Sequence, residues 1–384
     1  MKIDIIAGAR PNFMKIAPII EQLQKVSDRI QYRLIHTGQH YDKKMSGSFF
    51  EQLGIPEPDV NLEVGSGTQA EQTARIMERY EALLLDRYTK EEAPFSFRRG
   101  VGGEAFTGMS DWVLVVGDVT STMACSIAAK KLGVGVIHVE GGIRSNDLSM
   151  PEEINRMVTD SITDIFYTTS EVANENLKKL GHEESKIRYV GNTMIDTLLK
   201  NMDRFNKPEA WDAYDLKEKG YFVMTLHRPA NVDEETQLKA LIDEIVKGAK
   251  GMPIIFPVHP RTAKILKGIG IEADNLHMIE PLGYLEFNYL VKHSFAVITD
   301  SGGITEETTV MKVPCMTLRD NTERPETITI GTNELVGTNP DNIAPFMEKL
   351  HAGDWKAGEI PYLWDGNTAE RIVEDLLHLS SKED

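Results

Sequence analysis

Residues 295–307, F-A-V-I-T-D-S-G-G-I-T-E-E, join a short apolar run to a glycine turn and a polar segment. A short continuous apolar run is typical of a strand buried on both faces, as in a parallel sheet. The Ser and two Gly that follow indicate a turn that exposes backbone N–H groups at the start of a helix, where an anion binds well. The stretch therefore predicts one strand–helix unit of an α/β fold, with a place for a diphosphate at the helix start.

The same pattern recurs along the chain. Apolar, β-favouring runs occur at Lys2–Ala7, Tyr32–Thr37, Trp112–Val116, Val134–Val139, Tyr221–Thr225, Ile254–Pro257 and Val313–Thr317. Helical stretches separate these runs, which predicts βαβ units and an α/β fold. A polar segment without strand character, 201–219, separates two sets of such units. We therefore predict an N-terminal Rossmann-like domain, 1–193, and a second one, 194–366, with a C-terminal helix at about 367–384 that packs back on the first.

Composition excludes several classes of protein. The chain has 384 residues, 41% of them hydrophobic, and no apolar run approaches the length of a membrane span. A net charge of −17 argues against a nucleic-acid or acidic-membrane partner, and two cysteines imply no disulfide framework, which fits the cytoplasm. No G-x-G-x-x-G follows a strand and no metal-ligand spacing is present, so we expect neither a dinucleotide cofactor nor a metal.

The residues that follow the strands are the informative ones, because ligands bind beyond the carboxyl ends of strands in open α/β sheets. Arg10 and Lys15 bracket a glycine-led helix start, which favours a phosphate role over that of surface cations. Asp118 and Glu140 each follow a strand, and Glu152 opens a helix. Asp118 and Glu152 have structural alternatives, as a helix cap and a first-turn acid. Together the three carboxylates have the composition expected for general acid–base work in one cleft.

The second half of the chain presents groups suited to a nucleotide. His227 and His259 stand at strand ends, where each can donate to phosphate oxygens, act as an acid, or simply be satisfied by the backbone. Glu307 lies about one turn into the helix after the Ser-Gly-Gly turn, well placed to accept two ribose hydroxyls. Arg319 and Arg324 add two cations to the same rim.

Eight motifs now stand in one order: G-A-R-P-N-F-M-K, G-D-V-T-S-T, H-V-E-G-G-I-R, P-E-E-I-N-R, L-H-R-P-A-N, P-V-H-P, D-S-G-G-I-T-E-E and R-D-N-T-E-R-P-E. In this order they resemble the non-hydrolysing UDP-N-acetylglucosamine 2-epimerases, over about residues 1–350. The resemblance implies two Rossmann-like domains facing across a cleft, the glycosyltransferase-B architecture, and a homodimer. It implies cofactor-free interconversion of UDP-GlcNAc and UDP-ManNAc through 2-acetamidoglucal, supplying ManNAc-type precursors for surface polysaccharide.

The resemblance also implies roles for particular residues. The catalytic set is Asp118, Glu140, Glu152 and His227. The substrate-binding set is Arg10, Lys15, Arg156, Phe287, Ser301, Gly302, Gly303, Glu307 and Arg324. Four alternatives stay open: a 2-epimerase of a modified UDP-2-acetamido sugar, a hydrolysing relative, a UDP-sugar glycosyltransferase of the same architecture, and a non-catalytic UDP-sugar sensor.

Two further segments carry expectations. The glycine-rich, charged stretch 86–110 is interpreted as a surface loop, with a functional lid as the alternative. Gln39 and His40 match the start of a segment that some bacterial relatives use for a second, regulatory UDP-GlcNAc, and the match is partial.

Overall fold

The chain folds into two compact α/β units. The computed structural model describes residues 1–38, 53–86, 96–97, 108–232, 234–258 and 260–381. Unit 1 comprises residues 1–200 and 362–384, and unit 2 comprises residues 201–361. The sequence placed the corresponding divisions after residues 193 and 366.

Unit 1 is built on a sheet of eight described strands. They are β1 (Lys2–Ala7), β2 (Gln31–His36), β3 (Val60–Asn61), β4 (Ser96–Phe97), β5 (Trp112–Val116), β6 (Gly135–Val139), β7 (Ile165–Thr168) and β8 (Ile187–Tyr189). Their order across the sheet is β4-β3-β2-β1-β5-β6-β7-β8, and among these strands only the β3–β4 pair is antiparallel. β5 and β6 are therefore neighbours, so whatever follows the two strands meets at one edge of the sheet.

Seven helices of unit 1 accompany these strands within the described ranges. They are α1 (Arg10–Gln24), α2 (Gln69–Leu84), α3 (Thr120–Lys131), α4 (Pro151–Ile162), α5 (Glu171–Lys179), α6 (Thr193–Asn201) and α15 (Thr368–Ser380). The last turn of α6 reaches the boundary with unit 2. The C-terminal end of helix α15 is held to the turn that follows α1 by Arg29, whose Nη2 lies 3.1 Å from the hydroxyl oxygen of Ser381.

Unit 2 carries a six-stranded sheet in which every described pairing is parallel. Its strands are β9 (Phe222–Thr225), β10 (Ile254–Pro257), β11 (Leu276–Ile279), β12 (Ala296–Thr299), β13 (Cys315–Thr317) and β14 (Asn333–Leu335), in the order β11-β10-β9-β12-β13-β14. Its helices are α7 (Glu209–Ala213), α8 (Pro229–Val232), α9 (Glu235–Gly248), α10 (Pro260–Gly268), α11 (Tyr284–His293), α12 (Gly302–Val310), α13 (Pro325–Thr329) and α14 (Ile343–Ala352). β9 and β12 are central neighbours, which brings their carboxyl ends together.

The central strands are apolar because helices cover both faces of each sheet. Val113, Leu114 and Val115 are consecutive in β5 and all are fully buried, which a half-exposed strand would not allow. A buried ion pair breaks the apolar pattern: Asp4 in β1 accepts from Nε and Nη2 of Arg33 in β2 at 2.9 and 3.0 Å. The Tyr80 hydroxyl donates to the same carboxylate at 2.9 Å, so the ion pair has further hydrogen bonds to offset its desolvation.

The structure confirms the α/β class and the parallel sheets that the apolar runs predict. Strands β1, β5 and β10 have the predicted bounds, and the other predicted strands differ by one or two residues at one or both ends. Six strands of two to four residues, β3, β4, β7, β8, β11 and β14, were not predicted. Of the stretch 86–110, residues 87–95 and 98–107 lie outside the described residues, as do Gln39 and His40. None of the helices within the described ranges is long and apolar enough to cross a membrane.

Candidate functional site

Two of the predicted carboxylates follow neighbouring strands in unit 1. Asp118 lies two residues beyond β5, and Glu140 directly follows β6. The strand ends are tied to each other and to β7: the Gly117 amide donates to the Val139 carbonyl at 3.1 Å, and the Glu140 amide to the Tyr167 carbonyl at 2.8 Å. The parallel sheet thus brings both carboxylates to one edge.

Glu140 is held in an unusual backbone conformation. Its φ is +71°, in the left-handed region that a residue with a side chain rarely adopts. Its side chain is buried, and Oε2 accepts from Nζ of Lys15 on α1 at 2.7 Å. Strained backbone of this kind persists only where the surroundings hold it, and it clusters at active sites.

Asp118 is anchored through one oxygen. Oδ2 accepts from Nε and Nη2 of Arg156 on α4 at 3.1 and 2.8 Å, and the Asn155 side-chain amide donates to the Asp118 carbonyl at 2.8 Å. The side chain is 34% exposed, whereas that of Glu140 is 3% exposed. Within the described residues Oδ1 of Asp118 has no hydrogen-bond partner, so this oxygen is available to a ligand.

Gly117 brings the two carboxylates into one constellation. It has a φ of +68°, and a Cβ built on it would lie 3.2 Å from Nζ of Lys15 and 3.8 Å from Oε2 of Glu140. A side chain here would both strain the turn and press on the ion pair. The residue before Asp118 therefore lies directly against the Lys15–Glu140 pair.

The adjacent acids Glu152 and Glu153 on α4 have different environments. Glu153 is buried, pairs with Arg156, and accepts from the backbone amides of Ser145 and Asn146 at 3.0 and 3.1 Å. Glu152 is half-buried and has no hydrogen-bond or ion-pair partner within the described residues. Glu153 thus holds the loop before α4, while the carboxylate of Glu152 has no such structural role among the described residues.

In unit 2, His227 and Asp300 form a dyad at the ends of β9 and β12. Oδ1 of Asp300 lies 2.7 Å from Nδ1 of His227, and Asp300 also accepts from the Arg228 amide at 2.9 Å and from Nδ2 of Asn231 at 3.1 Å. Burial by itself would raise the pKa of Asp300, but these partners, His227 first, outweigh it and hold the pKa below its ordinary value. The ring of His227 is thereby oriented by a carboxylate while its side chain stays 62% exposed.

The start of α12 is the candidate anion site. The Ser301 amide donates to the Thr299 hydroxyl at 3.0 Å, and among the described residues no side chain caps the first turn of the helix. A Cβ on Gly302 would meet nothing closer than 3.9 Å, so packing within unit 2 does not require glycine there. A ligand that approaches the backbone closely would require glycine at this position.

Two buried glutamates of α12 lie behind this helix start. Glu306 pairs with Nε of the buried Arg324. Burial raises the pKa of Glu307 to about 7, and the charge of Glu306 adds to the rise. The side-chain amide of Asn288 reaches Glu307 at 3.5 Å. Glu307 therefore carries its negative charge at a cost to unit 2, which is typical of a group retained for function.

We expect Glu307→Gln to stabilise unit 2 at pH 8. The folded-state pKa lies above the ordinary value of 4.5, so this carboxyl contributes most stability below pH 4.5 and loses it as the pH rises to about 7. Above pH 7 the buried carboxylate costs about 3 kcal/mol, from the size of the pKa shift. Thermal unfolding at pH 8 should show the melting temperature of the variant raised by about 5 °C, with little difference at pH 4.5. The exposed Glu348→Gln is the matched control, and an unchanged or lower melting temperature for Glu307→Gln at pH 8 would contradict the assignment.

The remaining predicted residues are placed as follows. Phe287 on α11 is half-buried and packs against the apolar core around Tyr221 and Leu290. Arg10 begins α1, but its side chain lies outside what the structure describes, and His259 lies outside the described residues altogether. Within those residues no group of three or more His, Cys, Asp or Glu side chains is arranged to hold a metal ion.

Two features of the site were not predicted from the sequence: the role of Asp300 and the contact between Lys15 and Glu140. Asp300 was quoted in its motif without a role, although an acid directly after a buried strand and before Ser-Gly-Gly is itself a signal. The contact between Lys15 and Glu140 joins residues far apart in the chain, and no local pattern indicates it.

Fold and site together define an α/β protein of two Rossmann-like units, with carboxylates at the ends of adjacent strands in one and a histidine–aspartate pair beside a glycine-rich helix start in the other. The family model described as UDP-N-acetylglucosamine 2-epimerase matches residues 22–90 and 107–377. The UDP-N-acetylglucosamine 2-epimerase of Methanocaldococcus jannaschii is 40% identical, covering 98% of this chain and 99% of that protein. The UDP-2,3-diacetamido-2,3-dideoxy-D-glucuronate 2-epimerase of Pseudomonas aeruginosa is 39% identical, covering 99% and 100%.

Solved structures agree with these matches. The crystal structure of the Methanocaldococcus jannaschii UDP-GlcNAc 2-epimerase in complex with UDP-GlcNAc and UDP superposes with a TM-score of 0.82 at 40% identity, covering 98% of this chain and 100% of that one. The chain belongs to the UDP-N-acetylglucosamine 2-epimerase family.

Proposed function

We propose that the protein interconverts UDP-GlcNAc and UDP-ManNAc by eliminating UDP to give 2-acetamidoglucal and adding it back. The observation that carries the proposal is the constellation in unit 1, where the Lys15–Glu140 ion pair lies against Gly117, next to Asp118, at the ends of adjacent strands. Two carboxylates in different environments, one buried beside a cation and one partly exposed, suit proton removal and proton return.

The chemistry explains why such a set is needed. The C2–H bond of the sugar has no neighbouring carbonyl to make it acidic. In the proposed first step a carboxylate takes the C2 proton, a C1–C2 double bond forms, and the C1–O bond breaks with UDP leaving. In the second step UDP attacks C1 and a proton is delivered to the opposite face of C2. No oxidant or reductant is consumed, so the two reaction steps balance with the sugar, UDP and one proton.

Within unit 1 we assign the proton transfers to Asp118, Glu140 and Glu152. Arg156 holds Asp118 by a single oxygen, which leaves the other free to meet the sugar. Lys15 pairs with the buried carboxylate of Glu140 at 2.7 Å and adds a positive charge that would favour departing phosphate.

Within unit 2 we assign UDP to the start of α12 and the residues around it. The hydroxyl of Ser301, the backbone amides of Gly302 and Gly303 and the ring of His227 would donate to the diphosphate, with Arg324 as a neighbouring cation. Glu307 would accept the ribose hydroxyls, and Phe287 would lie near the uracil. Because an ionised carboxylate accepts these hydrogen bonds best, the raised pKa of Glu307 implies that UDP binding strengthens as the pH rises through about 7.

The identity of the sugar is the finer part of the proposal. The relative named for UDP-GlcNAc and the relative named for a diacetamido-glucuronate are 40% and 39% identical to this chain, so similarity alone does not choose between them. Supply of ManNAc-type precursors for surface polysaccharide, a homodimer and a cytoplasmic location stay predictions.

The test is product analysis with each UDP-sugar by anion-exchange chromatography. We expect UDP-GlcNAc to give a mixture with UDP-ManNAc that is the same from either direction, and Asp118→Asn to give almost none. Free ManNAc with UDP would instead indicate a hydrolysing enzyme, and turnover only with an added sugar acceptor a glycosyltransferase. Turnover of the diacetamido-glucuronate substrate alone would move the assignment to that sugar.

A further inference from the structure

A buried histidine outside the assigned catalytic set links both carboxylate-bearing turns of unit 1. His138 lies in β6, two residues before Glu140, and is fully buried. Its Nε2 lies 2.8 Å from the Gly117 carbonyl, and its Nδ1 lies 2.7 Å from Oδ1 of Asp160 on α4. Because a carbonyl oxygen can only accept, Nε2 is the donor to Gly117.

Asp160 extends the link to the second turn. Its Oδ2 accepts from the Gly142 amide at 3.1 Å and from Nη1 of Arg144 at 2.7 Å. Burial alone would raise the pKa of Asp160, but His138 and Arg144 outweigh it and keep the pKa below its ordinary value. One ionised carboxylate thus joins β6, the turn after Glu140 and the helix α4.

Both turns that this network fixes contain a residue with left-handed backbone. Gly117 has a φ of +68° and Glu140 a φ of +71°. The amide of Gly117 is held by the Val139 carbonyl, while its carbonyl is held by His138. With both ends of the residue bonded, the direction in which the chain continues to Asp118 is set, and α4, which the same network reaches, carries the Arg156 that grips Asp118.

We propose that His138 is a positioning residue for the epimerisation, which donates from Nε2 to the Gly117 carbonyl and so aims the carboxylate of Asp118 at the sugar. The inference rests on the proposed function. It gives His138 no contact with the substrate and no proton to transfer; its effect on the rate passes entirely through Asp118.

Two amide substitutions of His138 each keep one of the two hydrogen bonds of the imidazole ring and remove the other. Glutamine places its side-chain N–H about as far from Cβ as Nε2 of the imidazole, so His138→Gln keeps a donor for Gly117. Asparagine places its N–H near the position of Nδ1, so His138→Asn keeps only the bond to Asp160. Neither amide titrates near neutral pH, so a role in proton transfer would be lost in both.

The experiment measures kcat and KM of epimerisation, the Kd of UDP by calorimetry, and the melting temperature. We expect His138→Asn to lower kcat about 10- to 100-fold, as a small misplacement of a catalytic group does, with the Kd of UDP unchanged. We expect His138→Gln to stay within about threefold of the unsubstituted protein, a difference of less than 1 kcal/mol. The exposed His378→Asn on α15 is the matched control and should change nothing.

A double-mutant cycle separates positioning from a merely structural role. In an Asp118→Asn background, His138→Asn should lower the residual rate by no more than about twofold, because the group that His138 aims is already disabled. A full, additive loss in that background, or a folded His138→Asn with normal kcat, would overturn the proposal. If the asparagine variant does not fold, His138→Gln decides. This variant keeps the donor to the Gly117 carbonyl, so a folded His138→Gln that loses more than about tenfold in kcat would contradict the positioning role.

A failure of the positioning role of His138 gives different results from a failure of the proposed epimerase function. If the function is wrong, the unsubstituted protein does not epimerise, or Asp118→Asn keeps its turnover. If only the positioning role is wrong, both of those results stand and the deviation is confined to the His138 variants.

Discussion

Replacing Glu140 by glutamine should lower kcat by about 1000-fold while the protein still folds and binds UDP. Glutamine keeps the length of the side chain and the strained backbone at φ +71°, but it neither carries charge nor accepts a proton. The ion pair with Lys15, 2.7 Å in length, is lost at the same time. Because the carboxylate removed is one to which we assign proton transfer, the effect should fall on kcat rather than on KM.

Steady-state kinetics with UDP-GlcNAc and calorimetry with UDP measure the two effects separately. The matched control is Glu78→Gln, an exposed glutamate of α2 in the same unit, which should keep normal kcat. A Glu140→Gln variant with more than a tenth of the normal kcat would remove Glu140 from the proton transfers.

Replacing Asp118 by asparagine should lower kcat by about 100- to 1000-fold. The amide oxygen can still accept from Arg156, which at present donates to Oδ2 from two nitrogens, so the side chain should stay in place. What is lost is the basic Oδ1, the oxygen that the described residues leave open. The melting temperature should therefore change little while turnover collapses.

The control for this substitution is Asp28→Asn, at an exposed position of unit 1. The Kd of UDP should stay within about threefold in both variants, since we assign UDP to unit 2. Loss of UDP binding in Asp118→Asn without loss of turnover at saturating substrate would show that Asp118 binds rather than reacts.

Much of the fold could be predicted because central parallel strands are apolar throughout. Trp112–Val116 and Ile254–Pro257 are uninterrupted apolar runs followed by Gly or Val, and both have the predicted bounds. The missed strands are short: Ile187–Tyr189 contains Arg188 and lies at a sheet edge, and Asn333–Leu335 begins with polar residues. Such strands are defined by pairing with a neighbour, which local sequence does not encode.

The site was predictable where it depends on strand ends and not where it depends on long-range contacts. Asp118 and Glu140 were singled out because each follows a buried strand, although Asp118 had a structural alternative as a helix cap and Glu140 had little structural reason to be there. The difference between Glu152 and Glu153 depends on the phase of α4, which a pair of adjacent acids does not reveal. His138 was overlooked, although a histidine inside the apolar run Val134–Val139 was a visible signal.

NMR of UDP-GlcNAc incubated with the protein in D₂O shows whether elimination is reversible, with loss and return of the C2 proton. We expect deuterium to enter C2 of the sugar as UDP-ManNAc appears, and Glu140→Gln and Asp118→Asn to suppress both. UDP-ManNAc that retains the original C2 proton, or no exchange and no product without an added acceptor, would contradict this mechanism.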